Sequence, residues 1–258
     1  MVNKLIAASR EIQRTDISLT DKYLSRTMLH SSYWGRKRIR EAIAANAHLA
    51  RGTLLDIGCG LKPYERLFEP FVERYLGIDY SPESGYRGNR ADFCGNIARL
   101  PLADQSIDTI LCTEVLSLIP DTERTIAEFF RVLRPGGIVI ATSVFVFPTV
   151  GESDLYRFSA NGLAEIMKRR GFVIDNIEPL SGTAVTLAMM LNLYWYDVGF
   201  IWTKWLYPVG LILRPFLWLM ILFINLTGGL FEIILPDNRL AFDHLTIASK
   251  AKYRTVTD

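Results

Sequence analysis

A doubly wound α/β fold with a mostly parallel sheet is predicted by three features of this 258-residue chain. The run Leu54-Leu55-Asp56-Ile57 reads as a short apolar strand. Gly58-Cys59-Gly60 follows as a turn in which the missing side chains let backbone approach a ligand at the strand's carboxyl end. About twenty residues further on, Tyr75-Leu76-Gly77-Ile78-Asp79 reads as a second strand that ends in an acid, where such a sheet presents a carboxylate to ribose hydroxyls. Asp79 also suits a helix N-cap, because Ser81-Pro82-Glu83 looks like a helix start; the two roles are compatible.

The glycine pattern narrows the ligand. Dinucleotide sites read G-x-G-x-x-G, whereas Gly58-Cys59-Gly60-Leu61-Lys62-Pro63 has proline at the third glycine. A carboxylate just ahead of the glycines, Asp56, repels phosphate and suits the ammonium of an amino-acid ligand, directly or through water. A ribose and an amino-acid moiety together fit S-adenosylmethionine.

On these residues the chain resembles the class I S-adenosylmethionine-dependent methyltransferases, in the group whose first motif reads D-x-G-C-G. The resemblance runs from about Trp34 to Leu180 and resumes over His244 to Lys250. It implies a Rossmann-like sheet with an antiparallel last strand, Asp243 to Ser249, paired with Phe172 to Pro179. It implies that Asp56, Gly58, Cys59 and Gly60 hold the methionine part and that Asp79, with Tyr80 beside it, holds the ribose. Ala91-Asp92 through Asn96-Ile97 matches the adenine loop, with Asn96 where the family usually has Asp; its carbonyl can accept from the adenine amino group, and Asp92 competes for the role. Ile107 to Leu116 matches the fourth strand and pocket floor and brings in Glu114, although a carboxylate in such a position is more often solvated or capping than a ligand. The family's Glu-His pair is replaced by Ser117-Leu118. Phe129 to Gly137 closes a helix and turns into a fifth strand, Ile138 to Thr142.

A catalytic base, where one is used, is expected in the loop after that strand. Glu152-Ser153-Asp154-Leu155-Tyr156-Arg157 partly matches a segment of methyltransferases associated with glycan or glycolipid assembly, without their preceding histidine. The expectation is Asp154 as base or orienting residue with Tyr156 and Arg157 shaping the acceptor pocket; the alternative is a structural Asp154–Arg157 ion pair ahead of a helix at Ala160.

The remaining composition bounds partners. The formal net charge is +2, but Met1 to Arg51 holds ten Lys or Arg against four acids, densest at Arg36-Lys37-Arg38-Ile39-Arg40. This is either a solvated helix face or an anionic contact surface, and nucleic acid is the weaker reading because no aromatic-basic interleaving continues past Tyr33-Trp34. Cys59, Cys94 and Cys112 are isolated, and no histidine stands at ligand spacing, so no metal is expected and a reducing compartment is. From Thr183 to Leu235 charges are sparse and tryptophans frequent, and Pro215 to Phe231 is uncharged and near the lower length for a span. Lying between paired strands, this block must have both ends on one side of any bilayer, which leaves a hairpin, a re-entrant loop or interfacial helices; a soluble cap is the alternative.

The expected organisation is a basic helical segment at 1–50, a catalytic domain of 51–182 and 243–258, and an apolar helical insertion at 183–242. The expected function is a cytoplasmic methyltransferase, peripheral or hairpin-anchored at the inner face of a membrane, acting on a lipid-linked, glycan or other amphiphilic acceptor through docking and an acceptor channel supplied by the insertion. The competing readings are a soluble small-molecule methyltransferase with an apolar lid and a cofactor-binding scaffold without chemistry. Met1 to Arg10 lacks the apolar core of an export signal.

Overall fold

The computed structural model describes residue 24 and residues 26–80, 90–149, 151–152, 154–205 and 209–251. The helix start expected at Ser81-Pro82-Glu83 lies outside the described residues, as does Ser153. Two compact units emerge, one of Ile39–Leu180 and Phe242–Asp258, the other of Met1–Arg38 and Ser181–Ala241. The boundary falls within helix α1, Tyr33–Asn46.

The larger unit is a seven-stranded sheet of order β3-β2-β1-β4-β5-β7-β6. Its strands are β1 (Thr53–Ile57), β2 (Arg74–Asp79), β3 (Phe93–Cys94), β4 (Ile107–Thr113), β5 (Leu133–Val144), β6 (Phe172–Pro179) and β7 (Asp243–Lys250). β1 to β5 are mutually parallel, and β7 runs antiparallel to both of its neighbours, as the resemblance implied. The central strands carry near-continuous apolar runs because both faces are covered. Leu55, Ile57, Ile110 and Val139 are fully buried, together with Phe129, Leu163 and Met167 from the flanking helices.

Two of those helices start where the chain supplies side-chain caps. In α2 (Glu65–Phe68) only one turn forms, burying Phe68. The Asp121 carboxylate accepts from the Arg124 amide and opens α3 (Thr122–Val132), whose 3.6-residue periodicity buries Ile126, Phe129 and Val132. Ser159 Oγ accepts from the Gly162 amide at 3.1 Å and opens α4 (Ala160–Arg169). β5 begins earlier than the expected Ile138: Leu133 pairs with Ile107 before a register shift, and the Arg134–Gly137 segment is carried within the strand, with Gly136 at φ 79°. Lys250 closes the far end of β7 by donating to the carbonyls of Phe130 and Leu133 at 2.6 and 2.8 Å, its ammonium 4.5 Å from the Phe130 ring centroid.

The smaller unit is a helical hairpin, α5 (Thr183–Trp205) and α6 (Val209–Ile234), with the chain from Leu24 to Arg38 packed on it. Asn192 Nδ2 donates to Asn225 Oδ1 at 2.9 Å, and Asn225 Nδ2 donates to the carbonyls of Met28 and His30. Trp34 Nε1 donates to the Asn225 carbonyl, and Arg38 pairs with Glu232 at 2.8 Å. Gly228 and Gly229 leave room for Ala188 and the Trp34 indole, which a Cβ would meet at 2.4 and 2.6 Å. One stretch of α6, Ile212–Ile234, is long and apolar enough to cross a membrane by length and composition.

Gly137 tests how tightly the sheet edge is built. A Cβ there would sit 2.9 Å from the carbonyl oxygens of both Arg134 and Asp108, so backbone must move. Gly137→Ala is expected to lower unfolding free energy by about 1–3 kcal/mol in denaturant titration.

Candidate functional site

The site forms at the carboxyl edge of β1, β2, β4 and β5, where parallel sheets bind ligands. After β1 the chain turns through Gly58 at φ 67° and Gly60 at φ 48°, a backbone region that glycine alone enters without strain. A Cβ on Gly58 would lie 2.4 Å from Val115 Cγ2, so the exit of β4 packs directly on the turn. In front of Gly60 the space is open, with nothing within 4 Å of an added Cβ. Asp79, at the tip of β2, accepts from the Gly60 amide through Oδ2 at 3.0 Å and from the Tyr80 amide through Oδ1 at 2.7 Å. Turn and acid are therefore one hydrogen-bonded unit, with Tyr80 exposed beside it.

Asp56 is placed differently from its neighbours. It is buried in β1, and its Oδ2 accepts from the Tyr75 hydroxyl at 2.7 Å. Burial pushes its carboxyl up to about 7, against the opposing pull of that hydrogen bond and of Lys62. Cys59 is also buried, and desolvation beside Asp56 and Asp79 pushes its thiol up to about 12.

Lys62, not singled out from the sequence, ties the turn to the next strand. Its Nζ lies 2.6 Å from Asp92 Oδ2, which also accepts from the Gly77 amide at 2.7 Å. Desolvation opposes these two bonds but does not outweigh them, and the Asp92 carboxyl sits below its ordinary range. The competing adenine candidate is thus engaged within the protein. Asn96 Oδ1 accepts from the Ala98 amide at 2.8 Å, shaping the loop that buries Ile97.

The second cluster lies where β4, β5 and β7 meet. Glu114, just past β4, is a non-glycine residue at φ 60°, a conformation costing about 1–2 kcal/mol and concentrated at functional sites. Its amide donates to Thr142 Oγ1 at 3.2 Å, and Thr142 Oγ1 donates back to Glu114 Oε1 at 2.6 Å. Asp243, opposite Val144 in the β5–β7 ladder, is buried, and burial together with the nearby Glu114 charge raises its carboxyl well above the usual range. Burial raises the Glu114 carboxyl as well. Arg157 faces both acids and lowers both. It forms a two-armed ion pair with Asp154, with 2.6 Å on the Nη2–Oδ2 arm, and donates to the Phe147 carbonyl at 3.2 Å. The ion-pair alternative for Asp154 and Arg157 is formed, because a guanidinium fork matches both carboxylate oxygens. Tyr156 points its hydroxyl to the Pro120 carbonyl at 3.0 Å. His244, next to Asp243, rests on Phe145 at 5.5 Å, and burial lowers its pKa.

Asp243 and Thr142 do not stand out in the sequence as site residues, because each sits inside a strand pattern. The available signal is a carboxylate opening a strand that returns to the middle of the sheet. Among the described residues no cluster of three or more metal-ligating side chains occurs.

Comparison with known proteins agrees with this geometry. Residues 55–141 match the methyltransferase domain family. A protein of Mycolicibacterium smegmatis named for S-adenosylmethionine-dependent methyl transfer is 29% identical over 163 residues, covering 58% of this chain; the chain spans 63% of that relative's length. Two solved structures share the fold. A phosphoethanolamine N-methyltransferase of Haemonchus contortus, holding phosphomonomethylethanolamine and S-adenosylhomocysteine, has a TM-score of 0.54 and 17% identity over 91% of this chain and 60% of that one. The [4+2]-cyclase SpnF has 0.52 and 21% over 83% and 80%.

The raised carboxyl of Asp56 sets a pH dependence of stability. The unfolded chain loses this proton near the ordinary 3.8 and the folded one only near 7, so between those values the folded state binds more protons. Stability is fully present below the lower value and falls as pH rises through the upper one. Asp56→Asn, which keeps an acceptor for Tyr75, is expected to flatten this fall by on the order of 4 kcal/mol in unfolding titrations across the window.

Proposed function

We propose that this protein methylates an amphiphilic acceptor, lipid-linked or glycan-bearing, at the inner face of a membrane; the match of residues 55–141 to the methyltransferase domain family and the similarity to a relative named for S-adenosylmethionine-dependent methyl transfer support the methyl-transfer part. The observation that carries the methyl-transfer reading is the Gly60–Asp79 hydrogen bond, which joins the glycine turn to the acid of the second strand. The residues fit the cofactor: open space stands before Gly60, two glycines have positive φ, and a carboxylate suited to a ribose diol ends β2. When bound, S-adenosylmethionine supplies an already activated methyl group, so the protein mainly has to align donor and acceptor and take up a proton.

In this reading Asp79 orients the ribose, Gly58, Cys59 and Gly60 line the methionine end, and Asn96 and Ile97 border the adenine. Asp56, satisfied by Tyr75, supports the turn from beneath. Asp154 holds Arg157 in place and does not act as the base, since its carboxylate is occupied by the guanidinium. The proton released by a hydroxyl or amine acceptor goes to the Glu114–Asp243 pair. Two buried carboxylates facing a guanidinium already shared with Asp154 cannot both ionise cheaply; the one that is ionised takes up the acceptor's proton, and burial favours that uptake.

The membrane part of the reading draws on the apolar length of α6 and on the basic stretch Met1 to Arg51. A soluble methyltransferase with an apolar lid would bind the same cofactor without requiring lipid, and a scaffold would bind it without turnover.

Calorimetric titration with S-adenosylmethionine and S-adenosylhomocysteine is the first test. Saturable binding that Asp79→Ala weakens at least about tenfold is expected, the equivalent of roughly 1.4 kcal/mol; absence of binding by folded protein would remove the reading. Incubation with methyl-labelled cofactor and vesicles of total membrane lipid should then label the lipid fraction. Glu114→Gln is expected to slow labelling by about a hundredfold at saturating cofactor while leaving cofactor affinity unchanged.

A further inference from the structure

Helix α6 divides cleanly into two faces. Arg214, Asn225 and Glu232, which carry all its ionisable and amide side chains, lie on one face with Ile221, Ile224 and Gly228, and this face is packed within the hairpin unit. On the opposite face a stripe runs from Ile212 through Phe216, Leu219, Phe223 and Leu226 to Leu230 and Ile233, at alternating spacings of four and three, and each of these side chains is at least half exposed. Its flanks, Leu213, Pro215, Met220, Leu222 and Thr227, are uncharged.

We infer that α6 lies parallel to a membrane plane, with this stripe sunk into the acyl chains of a single leaflet that carries anionic headgroups, and that it does not cross the bilayer. The inference deepens the membrane part of the function proposed above.

Four observations favour this occupant and this orientation. A stripe with four–three spacing also suits pairing with a second copy, but such seams are narrow and bordered by charges that fix the partner, whereas this apolar face is broad and charge-free, as an interfacial helix requires. Small residues that let helices approach in lipid are spent inward, on Ala188 and Trp34. A crossing orientation conflicts with the chain packed on α6: the turns at Met28 to His30 bond to Asn225, and Arg38 bonds to Glu232, so irregular polar backbone would be carried to hydrocarbon depth. From Arg214 to Asn225 the helix rises only about 16 Å, half of a hydrocarbon core of about 30 Å. Lying flat resolves the conflict, because the polar face and its N-terminal cover then point away from lipid. Met1–Arg38 and Ser181–Ala241 together hold eleven Lys and Arg against six Asp and Glu, a surplus that complements anionic headgroups.

Flotation of the full chain with phosphatidylcholine vesicles, with and without phosphatidylglycerol, tests engagement. Spin labels placed singly by Phe216→Cys, Phe223→Cys and Leu230→Cys, with exposed Cys94 replaced by alanine, then test orientation. Binding at least about tenfold stronger to the anionic vesicles is expected, with all three labels at one shallow depth. A depth gradient approaching the roughly 21 Å that fourteen helical residues span would overturn the in-plane orientation while leaving membrane association standing. Failure to float would overturn membrane engagement altogether, and a stable dimer in that case would assign the stripe to a second copy. The double variant Leu219→Glu with Phe223→Glu should lose flotation yet titrate with S-adenosylmethionine like the parent chain; retained flotation would place the lipid contact elsewhere and refute the stripe.

Discussion

One backbone hydrogen bond organises the chain beyond the parallel strands: the Leu180 amide donates to the Asp243 carbonyl at 2.9 Å, where β6 ends and β7 begins. β7 occupies the slot between β5 and β6, so the polypeptide must leave the sheet after β6 and come back before the sheet can be completed. Departure and return are thereby fixed to one point on the ligand edge. The same constraint delivers Asp243 to the end of β5, opposite Val144. A hairpin of two long helices can occupy the gap without disturbing β7, since the ladder on either side holds the strand in register.

Buried charge is handled in two distinct ways at this edge. Beneath the glycine turn, Asp56 has a hydroxyl partner and Lys62 spans to Asp92, so the acids are satisfied locally and the turn is held stiff. At the β4–β5–β7 junction three acids crowd one guanidinium, and the imbalance is left in place. The first arrangement preorganises a shape. The second leaves two carboxyls raised by burial, with Glu114 held in a backbone conformation that a relaxed loop would not choose.

Much of the sheet was legible because its signals are local. The glycine turn, the acid ending β2 and the antiparallel pair β6–β7 each occupy a few consecutive residues whose spacing reflects strand and turn geometry. The limits of β5 were less legible, since Pro135-Gly136-Gly137 reads as a turn until its pairing with β4 is known. Asp243 and the engagement of Asp92 with Lys62 were hidden for another reason: each depends on which strands become neighbours, and no window of sequence contains both partners. The association of the Trp34 segment with α6 is the extreme case, since the exposed-looking basic run gives no sign that its aromatic neighbour fills the space over Gly229.

That last contact also orders events in time. The Trp34 indole bonds to a carbonyl 191 residues further along the chain. At a synthesis rate of about 5–20 residues per second, the N-terminal aromatic pair waits roughly ten to forty seconds on the ribosome before its partner exists. For that interval the emerging chain carries a basic, tryptophan-bearing segment without the hairpin that holds it in the folded protein.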